Sequence, residues 1–174
     1  MWQTADRQAC FPVDRMMTEP DALRPNEQTV PLPNVRDASL VFIGTIHTPW
    51  RTRQECPRQG RLDGPLCRIV IDPRWSNALD GIEQFEEFDV LYWLHQARRD
   101  LVRQSPAHDG TTRGTFALRS PMRPNPIGLS RVRLIGREGS TLSVQGLDCI
   151  DGTPLIDLKP DRCRFSPQTR SEAI

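Results

Sequence analysis

Between Phe116 and Ser130 the chain reads FALRSPMRPNPIGLS, with prolines at 121, 124 and 126. Each proline fixes φ and removes an N–H donor, so this stretch fits neither a helix interior nor a central strand. Residues that precede proline are driven toward extended geometry. The segment is therefore a stiff loop, and any fold must set it between regular elements. Such a loop is either a rigid corner between two strands or a binding loop, because a pre-ordered site loses less entropy when it binds. Arg119, Ser120, Arg123 and Asn125 lie in the same loop and favour the second reading.

The remaining composition narrows the class. A length of 174 residues suits one domain, or one domain with a tail. The net charge of +1 exerts no global pull toward nucleic acid, yet the charge is unevenly spread. From Arg113 to Arg137 arginines stand at 113, 119, 123, 131, 133 and 137 with no acid among them. Arginine suits bidentate recognition of phosphate or carboxylate, so this reads as a basic central segment. Cysteines at 10, 56, 67, 149 and 163 form no CxxC, and the three histidines are scattered, which predicts neither a metal site nor a disulfide framework. No signal-peptide core or membrane-length apolar run is present, so a reduced, cytoplasmic, non-membrane protein is expected.

Taken in order, residues 1–37 hold five prolines and no sustained period, and predict an extended or disordered N-terminal arm. A domain is expected over 38–162 and a polar tail over 163–174. Ser39–Thr48 predicts a first strand and Leu66–Asp72 a second, buried on both faces. Ala78–Phe88, with apolar residues at spacings of three and Asp80 followed by Glu83, predicts a short amphipathic helix with a capping box and a solvated acidic face. Asp89–Gln96 predicts a third strand ending at His95, and Ala97–Arg113 a long exposed loop. Gly114–Leu118 predicts a strand that feeds the proline loop, and Ile127–Gly136 predicts the strand that leaves it. Thr141–Leu147 pairs back as a hairpin, and Leu155–Leu158 forms a last short strand. Helices do not alternate with strands, which excludes a doubly wound sheet. The expectation is a mainly β fold, a small antiparallel barrel or sandwich with one short helix and an extended arm. No GxGxxG, P-loop, GxSxG or metal-ligand pair is visible. The residues alone point to an anion- or nucleotide-binding site.

Two stretches carry a more specific likeness. FALRSPMRPNPIGLS resembles the hallmark F-A-T-R-S-P-x-R-P-N-P-I-G of the TrmO (TsaA-like, YaeB) family. GLDCIDGTPLIDLKP resembles its second hallmark, L-D-x-x-D-G-T-P-x-x-D-I-K-P. IGTIHTPW, the Pro57–Gln59 triplet and His95-Gln96 match in order, and the likeness covers about Ser39–Pro160. The resemblance implies a small antiparallel β-barrel, acting as a homodimer. It implies an S-adenosylmethionine-dependent methyltransferase whose substrate is tRNA, methylated on N6 of threonylcarbamoyladenosine at position 37. Carried over by position, it assigns the methyl donor to Arg119, Ser120, Arg123, Pro124 and Asn125, with Phe116 and His95 as neighbours. Leu147, Asp148 and Ile150 would add backbone contacts. Arg58, Gln59 and Asp151 are expected toward donor or tRNA. Asp157 and Lys159 are the catalytic candidates: the carboxylate to accept the N6 proton, or the ammonium to stabilise developing charge. The Arg98–Arg103 loop and the Arg131–Arg133 strand are expected to grip the tRNA. One departure is visible: the family commonly has tyrosine after the K-P of the second hallmark, where this chain has Asp161. That departure keeps open a methyltransferase on a different substrate, or a non-catalytic S-adenosylmethionine- or nucleic-acid-binding module.

Overall fold

A computed structural model describes residues 22–33, 38–107 and 110–160. Six strands close an antiparallel barrel: β2 (Gly44–His47), β3 (Cys67–Ile71), β4 (Glu87–Trp93), β7 (Ile127–Glu138), β8 (Thr141–Gln145) and β9 (Thr153–Pro160). Their order around the wall is β2-β3-β8-β7-β4-β9. Closure removes the unpaired edges that a flat sheet of this size would expose.

The alternation of side chains explains why these segments are strands. In β4, Phe88, Val90 and Tyr92 point inward, while Asp89, Leu91 and Trp93 lie on the outer face. In β7 the inward set is Gly128, Ser130 and Val132. Phe88, Val90, Val132, Ile46, Ile69, Leu142, Val144 and Leu155 are fully buried and fill the interior. Burying each such side chain stabilises the fold by about 1.5–3 kcal/mol before entropy is counted. A bulge between Leu91 and Tyr92 shifts the β4–β9 register and helps the wall to turn.

Several expectations are revised. β3 is not buried on both faces: its pattern alternates, and Val70 is 37% exposed. An antiparallel barrel strand keeps one face toward solvent, so the continuous run Ile69-Val70-Ile71 overstated burial. The helical stretch appears as two 3-10 turns, Pro73–Leu79 and Ile82–Gln84, in place of a helix over Ala78–Phe88. Asp80 and Gly81 separate them, with Gly81 at φ 85, and Phe88 already belongs to β4. The cap is Asp72, whose carboxylate accepts from the Arg74 amide at 3.0 Å.

The stretch 97–113 is not a plain loop. It contains β5 (Leu101–Gln104), which pairs with β6 (Arg113–Gly114) and with β1 (Gln28–Thr29) from the arm. Leu101 is fully buried there. Val30 donates to the Asp100 carbonyl at 2.8 Å, and Arg24 to that of Ser105 at 3.1 Å. This part of the arm lies along β5 as a short strap. Of the expected strand Gly114–Leu118 only Gly114 belongs to a strand, and Thr115–Ala117 forms a 3-10 turn. The predicted tail, and Asp161 with it, lies outside the described residues.

Candidate functional site

The proline loop is stapled from within. The Arg123 guanidinium donates to the carbonyls of Ser120 at 3.0 Å, Thr115 at 3.4 Å and Leu118. The Ser120 hydroxyl accepts from the Met122 amide at 3.3 Å. Beneath it, buried Gln104 donates to the Met122 carbonyl at 2.6 Å and to the Thr115 hydroxyl at 2.9 Å. Thr115 in turn donates to the Leu101 carbonyl at 2.7 Å. Arg99 ties the loop to β4: it donates to the Pro124 carbonyl at 2.7 Å and lies 5.3 Å from the centroid of the Trp93 ring. Ser120 and Arg123 thus spend side-chain groups on the loop itself. Arg119, Asn125 and Phe116 remain exposed, Phe116 at 84%. The Pro126 carbonyl accepts from Leu94, which sets the loop beside His95 and Gln96, both exposed.

The second hallmark begins at a left-handed glycine, Gly146, φ 117. Leu147 and Ile150 are buried, so their side chains serve the core and only the backbone of these positions faces outward. Asp148 turns its carboxylate to the end of the barrel interior. Oδ1 accepts from the Tyr92 hydroxyl and from the Ser130 hydroxyl, the latter at 2.8 Å; the two hydroxyl oxygens are 2.8 Å apart. Oδ2 accepts from the Gly60 amide at 3.2 Å. A Cβ on Gly60 would stand 1.7 Å from the Gly146 carbonyl oxygen. The Pro57–Gly60 turn therefore lies directly on the second hallmark, and exposed Arg58 and Gln59 arrive beside it. Burial, then the Asp148 charge, pushes the Tyr92 phenol above its ordinary range. Burial does the same to the Cys149 thiol.

Asp151 closes the far end of this segment. Its carboxylate meets His47 Nδ1 at 3.1 Å and accepts from the Thr48 amide at 3.2 Å. The Asp151 amide donates to the Trp50 carbonyl at 2.7 Å. Asp157 and Lys159 form a 2.6 Å ion pair on β9. Register puts Asp157 beside Leu91 and Lys159 beside Asp89, on the outer face of the wall whose inner face carries Tyr92. The structure thus joins the Pro57–Gly60 turn to Leu147–Ile150 and the proline loop to His95, while Asp157 and Lys159 stand apart as their own outer pair.

The basic segment is less free than its sequence suggested. Arg131 pairs with Asp89 at 3.1 Å, Arg133 with Glu87 at 3.7 Å and Arg137 with Glu83 at 2.7 Å. Arg98 pairs with Asp100 at 2.8 Å. Glu83 and Glu87, expected to be merely solvated, are thus partners of β7; Glu87 and Asp89 meet it because β4 runs antiparallel beside β7. Residues not foreseen are Tyr92, Ser130, Gly60 and Gly128. A tyrosine inside the apolar alternation Phe88-Val90-Tyr92 was the available signal, since a buried phenol needs a polar partner.

A family model described as the tRNA-methyltransferase O N-terminal domain matches residues 45–165. Over 145 residues the chain is 52% identical to the probable S-adenosyl-L-methionine-binding protein VirR of Rhizobium radiobacter, with 83% of each chain covered. It is 34% identical over 130 residues to the tRNA (adenine(37)-N6)-methyltransferase of Escherichia coli, covering 68% of this chain and 55% of that protein. A crystal structure of TrmO from Pseudomonas aeruginosa matches with a TM-score of 0.61 and 32% identity, covering 80% of this chain and 62% of that one. The chain spans less than two thirds of these last two relatives.

Proposed function

The chain belongs to the tRNA-methyltransferase O family, and from that premise we propose that it is an S-adenosylmethionine-dependent methyltransferase acting on N6 of threonylcarbamoyladenosine-37 in tRNA. The observation that carries the reading is the meeting of the Pro57–Gly60 turn with Leu147–Ile150. Segments nearly ninety positions apart form one surface of exposed polar side chains and loop backbone.

That surface fits a methyl donor. An adenine and an amino-acid head call for amides, carbonyls and polar side chains at fixed positions. Gly146–Ile150 offers backbone held on both sides, and Arg58, Gln59, His95, Gln96 and Arg119 are exposed around it and the proline loop. S-adenosylmethionine, when bound, supplies a methyl group activated by a sulfonium. We assign the donor to Leu147, Asp148, Ile150, His95, Phe116, Arg119, Pro124 and Asn125, with Ser120 and Arg123 fixing the loop that presents them. Arg58, Gln59 and Asp151 are assigned to the border between donor and tRNA. Rigid placement of the methyl opposite N6 supplies a large part of the rate in such a transfer. Asp157, to accept the N6 proton, and Lys159, to stabilise the charge left on the nitrogen, are the assigned catalytic pair, and the reading requires the tRNA base to reach them on the outer face of β9. A second copy of the chain is the assembly this reading expects.

The test is nucleoside mass spectrometry of tRNA from cells with and without the gene. Loss of the methylated nucleoside, with its unmethylated form rising, is expected; an unchanged ratio overturns the reading. A methyltransferase with another substrate, or a non-catalytic donor-binding module, is the second reading. It is favoured by the 52% identical relative, whose name states binding only, and by the chain's short coverage of the Escherichia coli enzyme. Donor binding without any change in tRNA would select it.

A further inference from the structure

We propose that Tyr92 and Ser130 are positioning residues which, from inside the barrel, hold the Asp148 carboxylate and through it lock the Pro57–Gly60 turn and Leu147–Ile150 into one wall of the donor site. The inference rests on the reading of that wall as part of a methyl-donor site.

The argument begins with the cost of the carboxylate. Asp148 is partly withdrawn from water, and a withdrawn carboxylate is destabilising unless its oxygens are hydrogen-bonded. Here Oδ1 takes the Tyr92 and Ser130 hydroxyls and Oδ2 takes the Gly60 amide. One side chain thereby joins four chain segments: β4, β7, the turn after Pro57 and the start of the second hallmark. Tyr92 is 3% exposed and Ser130 6% exposed, so both act from the interior.

Two glycines keep the link possible. A Cβ at Gly128 would lie 2.0 Å from the Tyr92 ring, so the ring rests against bare backbone. A Cβ at Gly60 would strike the Gly146 carbonyl at 1.7 Å. Tyr92 is the chain's single tyrosine. Its hydroxyl is not required for barrel closure, because β4 is laddered to β7 from Glu87 to Trp93 and to β9 from Phe88 to Tyr92. Leu147–Ile150 lies between β8 and β9 and has no ladder of its own. Its far end is held by the Thr48 hydroxyl on the Cys149 carbonyl at 2.8 Å and the Thr153 hydroxyl on the Ile150 carbonyl at 2.7 Å, and its start by Asp148. Freeing Asp148 thus loosens the wall and leaves the barrel closed.

Tyr92→Phe keeps the ring and removes the hydroxyl. Calorimetry with S-adenosylmethionine should show donor affinity weaker by about tenfold, the scale of leaving a withdrawn carboxylate short of a partner. At saturating donor, kcat should stay within about twofold of wild type, because the reacting groups are untouched. Hydrogen exchange should speed up at Gly60 and Leu147–Ile150 and remain unchanged at Val90 and Val132. Ser130→Ala, a smaller change, should move affinity and exchange in the same direction. A lowered Tm with unchanged donor affinity in both variants would reduce the cluster to fold stability and overturn the proposal. Unchanged exchange at Gly60 would overturn it too. If the wild-type protein binds no donor, the functional reading falls and this proposal falls with it; if wild type binds and the variants bind equally well, this proposal alone falls.

Discussion

Two stretches carry the family's hallmark residues, the loop around Pro121–Pro126 and the segment Gly146–Ile150, and they are made rigid by opposite means. The first is stiff by composition: three prolines fix its backbone, and Arg123 folds back on the carbonyls of Thr115, Leu118 and Ser120. The second has no proline and opens with a glycine at φ 117. It borrows order from elsewhere, through Asp148 to Tyr92, Ser130 and Gly60, and through Thr48 and Trp50 at its far end. A self-stapled loop depends on its own residues. A borrowed one fails when a distant residue changes, and the expected results below separate the two.

The largest effect is expected from Gly60→Ala. The added Cβ meets backbone, not a flexible side-chain end, at 1.7 Å from the Gly146 oxygen and 2.5 Å from its carbonyl carbon. Overpacking of this kind costs about 1–3 kcal/mol and drives the turn off the second hallmark. Donor affinity, read by calorimetry, should fall by more than about tenfold, while exchange in the proline loop stays as it was. Gly114→Ala serves as the control: it has φ −61 and nothing within 4 Å. There the same change should leave Tm level or slightly raised. Equal losses at both glycines would break the distinction.

Arg123→Lys strikes the other wall. Three carbonyls share one planar guanidinium, and a lysine ammonium cannot match that fork. We expect a loss of about 1–2 kcal/mol, measured by chemical denaturation. Faster exchange should be confined to 118–124 and absent from 146–150. Spread of the effect into the second hallmark would show that the walls are coupled.

The two walls also differ in how far they were legible before the structure. The proline loop announced itself, since proline's constraint is local and needs no partner. The barrel strands were legible for a similar reason: the alternation of Phe88, Val90 and Tyr92 is written in β4 alone. The link from Asp148 to Tyr92, Ser130 and Gly60 was not, because it joins residues 18, 56 and 88 positions from the aspartate. The acid partners of Arg131 and Arg133 were hidden likewise, since they depend on the β4–β7 register. The strand Leu101–Gln104 carries no such local signal: arginines flank it, and its partners are two-residue strands, one in the arm and one at Arg113–Gly114.

Alkaline pH offers a reagent for the borrowed wall and its supports. Burial holds the Cys67 thiol up at about 11 and raises Cys149 and Tyr92 as well. A group whose folded pKa is raised contributes stability that is full below its unfolded value, about 8.5 for a thiol. That contribution is lost as pH rises through the folded value. Unfolding free energy should therefore decline between about pH 9 and 11, at roughly 1.4 kcal/mol per unit for each of the two thiols. Exchange at Leu147–Ile150 should rise within that window before it rises at 118–126. The reverse order would place the weak point in the proline loop.

The smallest effect should come from Pro121→Ala, and its smallness is informative. Pro121 is exposed, so losing its ring opens no cavity in the core. The Ser120 hydroxyl still accepts from Met122, and Arg123 still spans its three carbonyls. What changes is the freedom of the unfolded chain, which costs the fold about 0.4–1 kcal/mol. Donor affinity should shift by less than about twofold, because the guanidinium staple holds the loop with one proline fewer. In an Arg123→Lys background the same substitution should cost more affinity than it does alone, since ring and staple then restrain the same backbone. A tenfold loss from Pro121→Ala alone would mean that the ring itself touches the ligand, and the proline wall would have to be counted as contact surface as well as scaffold.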